Sequence, residues 1–365
     1  MKKYILYTAA IMAITVSSCR KIETDGEIQV VVVNGGGGGG GSTTGQTITL
    51  QGRINADTVL RKANSYILKG IVYMVGNHTM TIEAGTVIKG SFSGSDVAAL
   101  VITRGSKIIA PGTATDPIIF TSLSPNPQSG DWGGIVLCGK AGYNLSYNGT
   151  AGLYQVEGGI DNANGDGLAG SGDAVAPTPV ANDNSGVLQY VRIEYAGYAF
   201  QPDKEINSLT MAAVGSGTII DHIQVTYAKD DAFEWFGGSV NCSYLIAYKT
   251  QDDDFDTDNG YNGKVQFGLV LRDSLIADIS TSEAFESDGN ATGTTAAPKT
   301  TAIFSNITAI GPRATLNNLG STLFRGATHI RRNSGISIFN SIIMGWPRGI
   351  EIDATTGTST ALNIE

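Results

Sequence analysis

Lys229-Asp-Asp-Ala-Phe-Glu-Trp-Phe-Gly-Gly238 recurs as Gln251-Asp-Asp-Asp-Phe-Asp-Thr-Asp-Asn-Gly260. At an offset of 22, Asp230, Asp231, Phe233, Glu234 and Gly238 meet Asp252, Asp253, Phe255, Asp256 and Gly260. A third copy, Glu283-Ala-Phe-Glu-Ser-Asp288, follows 30 residues later, so its coil carries a longer loop. Outward from these copies, Leu188 to Gly197, Ile220 to Ala228, Phe304 to Gly311 and Phe339 to Gly345 each alternate apolar and polar residues behind a polar corner. No segment sustains a helical period. Short strands repeating with a drifting period in the low twenties predict a solenoid with one coil per repeat. A β-propeller needs blades of roughly 40–50 residues with four strands each. The repeats here are half that, so the expected fold is all-β, a right-handed parallel β-helix.

Composition agrees. The 365 residues hold 48 glycines, 41% hydrophobic residues and a net charge of −9. That much apolar content builds a core and excludes general disorder. The acidic balance argues against nucleic acid, whose binding needs a basic face. Three cysteines exclude a disulfide scaffold, and their spacing excludes a paired-cysteine zinc site. No P-loop, GxGxxG-then-helix or Ser/His/Asp nucleophile motif occurs, so no nucleotide is expected. If each coil takes 22 to 30 residues, Cys138 and Cys242 lie about four coils or roughly 20 Å apart, and two buried free thiols are expected.

The chain begins with a basic Met1-Lys2-Lys3, an apolar stretch from Tyr4 to Val16 and then Ser17-Ser18-Cys19. The apolar stretch is too short for a membrane span and fits a secretory signal. Small residues directly before a cysteine resemble a bacterial lipobox. That resemblance implies a signal peptide over 1–18, acylation of Cys19 and, with Arg20 following it, sorting to the outer membrane. Residues 19–45 then read as a tether, since Gly35 to Gly41 has no side chains to bury. The expected β-helix domain spans 46–365, with a long Gly/Asp/Asn-rich loop at 142–186 lying over one face. Glu365 directly follows a strand-like coil, and a solenoid end needs a cap. The expectation is a truncated sequence or a last coil capped by a partner.

The N-terminal coils Met80-Thr-Ile-Glu-Ala-Gly-Thr-Val-Ile-Lys-Gly90 and Ala99-Leu-Val-Ile-Thr-Arg-Gly-Ser-Lys-Ile108 carry a resemblance. It continues through Ala110-Pro-Gly-Thr-Ala-Thr-Asp-Pro-Ile-Ile-Phe-Thr121 and Asp131-Trp-Gly-Gly-Ile-Val-Leu-Cys-Gly-Lys140. The sequence resembles the pectin-lyase-like right-handed β-helix proteins over most of residues 47 to 352. Within them it is similar to large lipoproteins of Gram-negative bacteria with poorly defined roles. These motifs are turn glycines and core strands, which specify fold rather than function.

The acidic copies supply the candidate site. Stacked coils would bring Asp230, Asp231 and Glu234 near Asp252, Asp253, Asp254, Asp256 and Asp258, with Glu283, Glu286 and Asp288 one coil on. Carboxylates so close repel unless protonated, solvated or bridged by a cation. Ca²⁺ suits such an oxygen-only cluster, and a solvated acidic face is the competing reading. Asn162-Ala-Asn-Gly-Asp-Gly167 with Asp173 is a second Ca²⁺-loop candidate by spacing.

Resemblance to pectate lyases implies Ca²⁺ plus an Arg or Lys base, and Lys229, Lys249, Lys264, Arg272 and Arg325 are the residues of that type. Asp231, Asp253, Asp256 and Arg272 are the catalytic candidates. Resemblance to polygalacturonases stops at the acidic pairs, because no Gly-His-Gly or Arg-x-Lys occurs. Arg331 and Arg332 beside His329 are candidates to grip a sugar carboxylate. Trp235 and Tyr261 are the preferred sugar-stacking rings, with Tyr195, Tyr198, Tyr227 and Tyr248 behind them. Trp132, Phe233 and Phe255 are expected in the core, and His78 and His222 as structural histidines.

Two functions follow. One is a lipid-anchored, non-enzymatic envelope protein, periplasmic or surface-exposed, offering a glycan or a surface protein one face, stiffened by Ca²⁺. The other is a polysaccharide lyase or glycoside hydrolase working on acidic polysaccharide through the Asp-rich coils.

Overall fold

The computed structural model describes residues 31–33, 45–160, 164–201, 204–313, 315, 317 and 320–357. Cys19, the expected signal peptide and nearly all of the expected tether lie outside the described residues, as do residues 358–365. Among the described residues the only helical element is the 3-10 turn Gly94–Asp96. Among the described residues no helix is long and apolar enough to cross a membrane.

Twenty-three strands join in one hydrogen-bonded network, nearly all of it parallel. The chain winds right-handed, as connections between parallel strands do, around a three-sided prism. The first face runs through Thr58–Leu60, Thr79–Ile82 and Lys107–Pro111 into the leading halves of Gly186–Glu194 and Ile219–Thr226. The trailing halves of those long strands form the second face, continuing Val87–Gly90 and Ile118–Ser122. The third face stacks Ala99–Ile102, Ile135–Cys138, Leu209–Ala212, Phe233–Phe236, Phe255–Asp258, Phe285–Asp288, Thr328–Arg331 and Ile350–Asp353.

Register on the third face matches the repeats read from sequence. Phe233 pairs with Phe255 and Phe255 with Phe285, so the offsets of 22 and 30 are each one coil. Alternation along each strand then sends Phe233, Trp235, Phe255 and Phe285 inward and Glu234, Asp256 and Glu286 outward. The inward rings stack from coil to coil, with centroids 5.8 Å apart for Phe233–Phe255 and 5.4 Å for Phe255–Phe285. Trp132 belongs to the same core, stacked on Phe120 at 6.3 Å.

The bend between the first and second faces is made by one residue per coil in the left-handed backbone region: Tyr190, His222, Tyr244, Phe267, Asn306 and Asn340, with φ from 44° to 62°. Asn tolerates this region, whereas Tyr, His and Phe are strained in it. The four rings offset that cost by stacking at 4.2, 4.3 and 4.8 Å.

The described residues of the loop, 142–160 and 164–186, lie over one face. Leu153–Gln155 pairs with Leu168–Gly170, and the Gly170 amide donates to the Gly139 carbonyl at 2.9 Å. Val156, Ile160, Ala169 and Tyr143 form a second small core on the outer side of the third face, against Val101, Val136 and Phe236. At its end Gly186 (φ 120°) passes so close to the first face that a Cβ would sit 1.9 Å from the Ile108 carbonyl oxygen.

This insertion corrects the cysteine arithmetic. Cys138 and Cys242 are two coils apart rather than four, because residues 142–186 consume sequence without adding a coil. Both thiols are free and buried as expected, and burial pushes each up to about 12.

Candidate functional site on the third face

Three columns of the third face carry the chemistry. Thr210, Glu234, Asp256, Glu286, His329 and Glu351 stand in register on successive coils. Phe236 pairs with Asp258 in the neighbouring outward column, and Asp288, Arg331 and Asp353 continue it. The corner just before the strands carries Asn207, Asp231, Asp253 and Glu283. There each side chain caps the next coil: Asn207 Oδ1 accepts the Asp231 amide at 3.2 Å, Asp231 Oδ1 the Asp253 amide at 2.8 Å and Asp253 Oδ1 the Glu283 amide at 2.5 Å. Part of the acidic repeat is therefore a structural ladder of one hydrogen bond per coil, a role the sequence reading did not assign.

The N-terminal half of the face is a carboxylate cluster without cations. Oxygens of Asp231, Glu234 and Asp256 lie within 4.8 Å of one another, as do those of Asp230, Asp231 and Asp252. Asp230, Asp231, Glu234, Asp252, Asp253, Asp256 and Asp258 form no ion pair among the described residues. Asn207 Nδ2 donates to Glu234, Ser280 Oγ to Asp252 at 2.8 Å, and Asn259 Nδ2 to Asp258 at 2.8 Å. Asp256 Oδ1 is buried with no hydrogen-bond partner. Burial first, and the neighbouring carboxylates second, push all seven above the ordinary range, Asp252 to about 8. Such a cluster must hold protons or a cation at neutral pH.

The C-terminal half is neutralised. Arg331 donates to Glu286 and, through Nε at 2.8 Å, to Asp288, while Arg332 reaches Asp288 at 2.7 Å. Burial pushes the Glu286 carboxyl up, but His329 and Arg331 outweigh it and hold the group below its usual range. Arg325 grips Glu351 at 2.6 Å and approaches Glu283 at 3.9 Å. His329, 1% exposed, sits between Glu286 at 3.6 Å and Asp353 at 3.4 Å. Arg331 and Arg332 are thus spent on internal carboxylates rather than presented to a sugar acid.

Several other expectations are corrected. Arg272 and Asp254 are both fully buried and paired at 2.8 Å. The Arg272 guanidinium also donates to the Thr250 carbonyl at 2.7 Å and lies 5.6 Å from the Phe324 ring centroid. Neither can act as a base or surface ligand, because no substrate atom reaches them. Trp235 and Tyr261 are 0% exposed, stacked on each other at 5.2 Å in the core. A ring with no exposed face cannot stack on a sugar. The second Ca²⁺-loop candidate is divided: Asn162 lies outside the described residues, Asp166 pairs with Arg53 at 2.9 Å and Asp173 with Arg104 at 2.7 Å. His78 and His222 are hydrogen-bonded as expected, to Asp57 and Asp221.

The sequence reading also missed an aromatic groove at the bend between the first and second faces. Tyr190, His222, Tyr244 and Phe267 line it, above a floor that includes Arg192, Gln224 and Leu269. The signal was present: aligned on their strands, Leu188-Gln-Tyr-Val, Ile220-Asp-His-Ile, Cys242-Ser-Tyr-Leu and Val265-Gln-Phe-Gly place a ring at the same step of four coils.

A family model described as a pectate-lyase like beta helix domain matches residues 52–364. No curated protein sequence matches the chain.

Proposed function

The chain belongs to the pectate-lyase-like β-helix family, and from that premise we propose that it is a lipid-anchored, non-enzymatic glycan-binding protein of the cell envelope. The anchor is Cys19 after cleavage of residues 1–18, the spacer is 19–45, and the site is the outer membrane. The lipobox-like Ser17-Ser18-Cys19 and the glycine run support this part of the reading.

The binding part rests on one observation: the oxygens of Asp231, Glu234 and Asp256 converge within 4.8 Å with no cation beside them. An oxygen-only donor set fits Ca²⁺, and the buried, unpartnered Asp256 Oδ1 is a ligand atom without another use. Ca²⁺ held there neutralises the cluster and offers its remaining coordination positions to an anionic glycan. Binding is favoured over lyase chemistry because Arg272, Arg331 and Arg332 are committed to internal ion pairs. Titration of Ca²⁺ into the chelator-treated body from Gln46 onward tests this. Saturable binding that Asp256→Asn weakens supports it, and absence of binding overturns it.

A hydrolytic reading is favoured by a specific feature of the same cluster. Glu234 and Asp256 sit on adjacent coils, and burial raises both carboxyls well above their ordinary range. The Asp256 charge further opposes ionisation of Glu234, so the pair loses its protons in two steps and passes through a state holding one proton. A raised carboxylic acid beside a second carboxylate is what a glycosidase uses. Release of reducing ends that Glu234→Gln abolishes would establish it in place of the binding role.

A further inference from the structure

We propose that the aromatic groove along Tyr190, His222, Tyr244 and Phe267 is a second binding site, for a neutral oligosaccharide, independent of the acidic face and of Ca²⁺. The groove encloses about 590 Å³, within the range of small-ligand sites. Its rings are accessible, with Tyr244 44% and Phe267 38% exposed.

The occupant follows from what the groove presents. The rings stack on one another, so Tyr190, His222 and Tyr244 offer mainly their edges, whose partial positive charge suits sugar oxygens. The stack ends at Phe267, because the next residue in the column is Asn306. The exposed parts of the Tyr244 and Phe267 rings give apolar surface for the C–H side of a pyranose. Among the described residues the Tyr190 and Tyr244 hydroxyls have no hydrogen-bond partner and are available to sugar hydroxyls. The charged groups nearby are already engaged, Arg192 with Glu194 and Asp221 with Gln189, Ser243 and His222. A groove whose charged groups are already held by neighbours favours a neutral ligand over a uronate.

Backbone strain points the same way. Asn306 and Asn340 show that the bend itself is satisfied by asparagine, the residue that tolerates positive φ. Rings occupy the strained position on four successive coils, and all four line the groove, together with Asn306 of the next coil.

The test uses the chain from Gln46 onward with a chelator present throughout. Cellohexaose, xylohexaose, maltohexaose and laminarihexaose are titrated calorimetrically, and tyrosine fluorescence is followed in parallel. At least one is expected to bind saturably, and Tyr244→Gly is expected to weaken it by about tenfold or more, roughly 1.4 kcal/mol. Glycine removes the ring while suiting the backbone there (φ 55°). Leu269→Asp, an outward substitution in the groove floor, is expected to abolish binding with the fold intact, and it keeps the test decisive if Tyr244→Gly does not fold. No binding by any of the four at about millimolar concentration, or binding indifferent to Leu269→Asp, overturns the proposal. Binding seen only when Ca²⁺ replaces the chelator also overturns it, because it places the ligand on the acidic face.

Discussion

Raising the pH of the metal-free protein from 5 to 7 is expected to destabilise it, the reverse of the usual behaviour of proteins rich in paired carboxylates. Asp252 is the group from which the size follows. Its carboxyl is raised from 3.8 to about 8, burial being the largest cause. Between those values the folded state holds a proton that the unfolded chain has released. The contribution is therefore present in full below about pH 4 and is lost as pH rises through about 8. Each pH unit in that window costs about 1.4 kcal/mol per group, so pH 5 to 7 removes about 2.7 kcal/mol through Asp252 alone. For a domain of this size that is a fall in Tm of roughly 4 °C. Asp230, Asp231, Glu234, Asp253, Asp256 and Asp258 act in the same direction. Glu351 and Asp353, held down to about 2, are largely ionised in both states over this range and contribute little slope. Ca²⁺ at a hundred times its Kd adds about 2.7 kcal/mol, which offsets a loss the size of the Asp252 share at pH 7, and it does little at pH 5 where protons occupy the cluster. Differential scanning calorimetry at both pH values, with chelator and then with Ca²⁺, reads all four numbers. A chelated protein whose Tm is flat or rises from pH 5 to 7 refutes the proton-loaded cluster.

Three further outcomes follow from the packing. Arg272→Ala leaves the Asp254 carboxylate buried without its partner and is expected to cost about 3–5 kcal/mol in urea unfolding, far more than a surface arginine would; a loss under about 1 kcal/mol contradicts the buried pairing. Trp235→Ala is expected to cost about 3–5 kcal/mol from the core cavity while glycan binding per folded molecule, measured by calorimetry, stays unchanged; a selective loss of binding would return Trp235 to a sugar-contacting role. Asp253→Ala removes the acceptor for the Glu283 amide and is expected to cost about 1–3 kcal/mol. Asp253→Asn keeps an acceptor oxygen there and is expected to remain close to the parent at pH 5, so equal damage by both would remove the corner ladder as the explanation.

The repeat at residues 229–260 carried the fold because period and register are set by the same residues. Phe233 over Phe255 is both a sequence match and a core contact. The same alternation held the answer for Trp235. With Glu234 outward, its neighbour must point inward, and proximity to acidic residues in the sequence misled the assignment. Arg272 was not legible, because it follows a strand and enters the core through an irregular turn where no period applies. The partners of Arg331 and Arg332 come from Glu286 and Asp288, 43 to 45 residues earlier, and only the coil stacking brings them together. The aromatic bend was hidden for another reason: Tyr, His and Phe do not announce a positive φ as glycine or asparagine would.

The most direct test of a glycan-binding rather than glycan-cleaving role is one incubation read three ways. The body from Gln46 onward is mixed with uronic-acid and neutral polysaccharides, with Ca²⁺ and with chelator. Retention on the polysaccharide, reducing ends and the ultraviolet absorbance of unsaturated sugar are followed together. The expected result is Ca²⁺-dependent retention on an acidic polysaccharide with neither product formed. Reducing ends that accumulate with time, or a growing absorbance from unsaturated sugar, would contradict it and make the acidic face an active site.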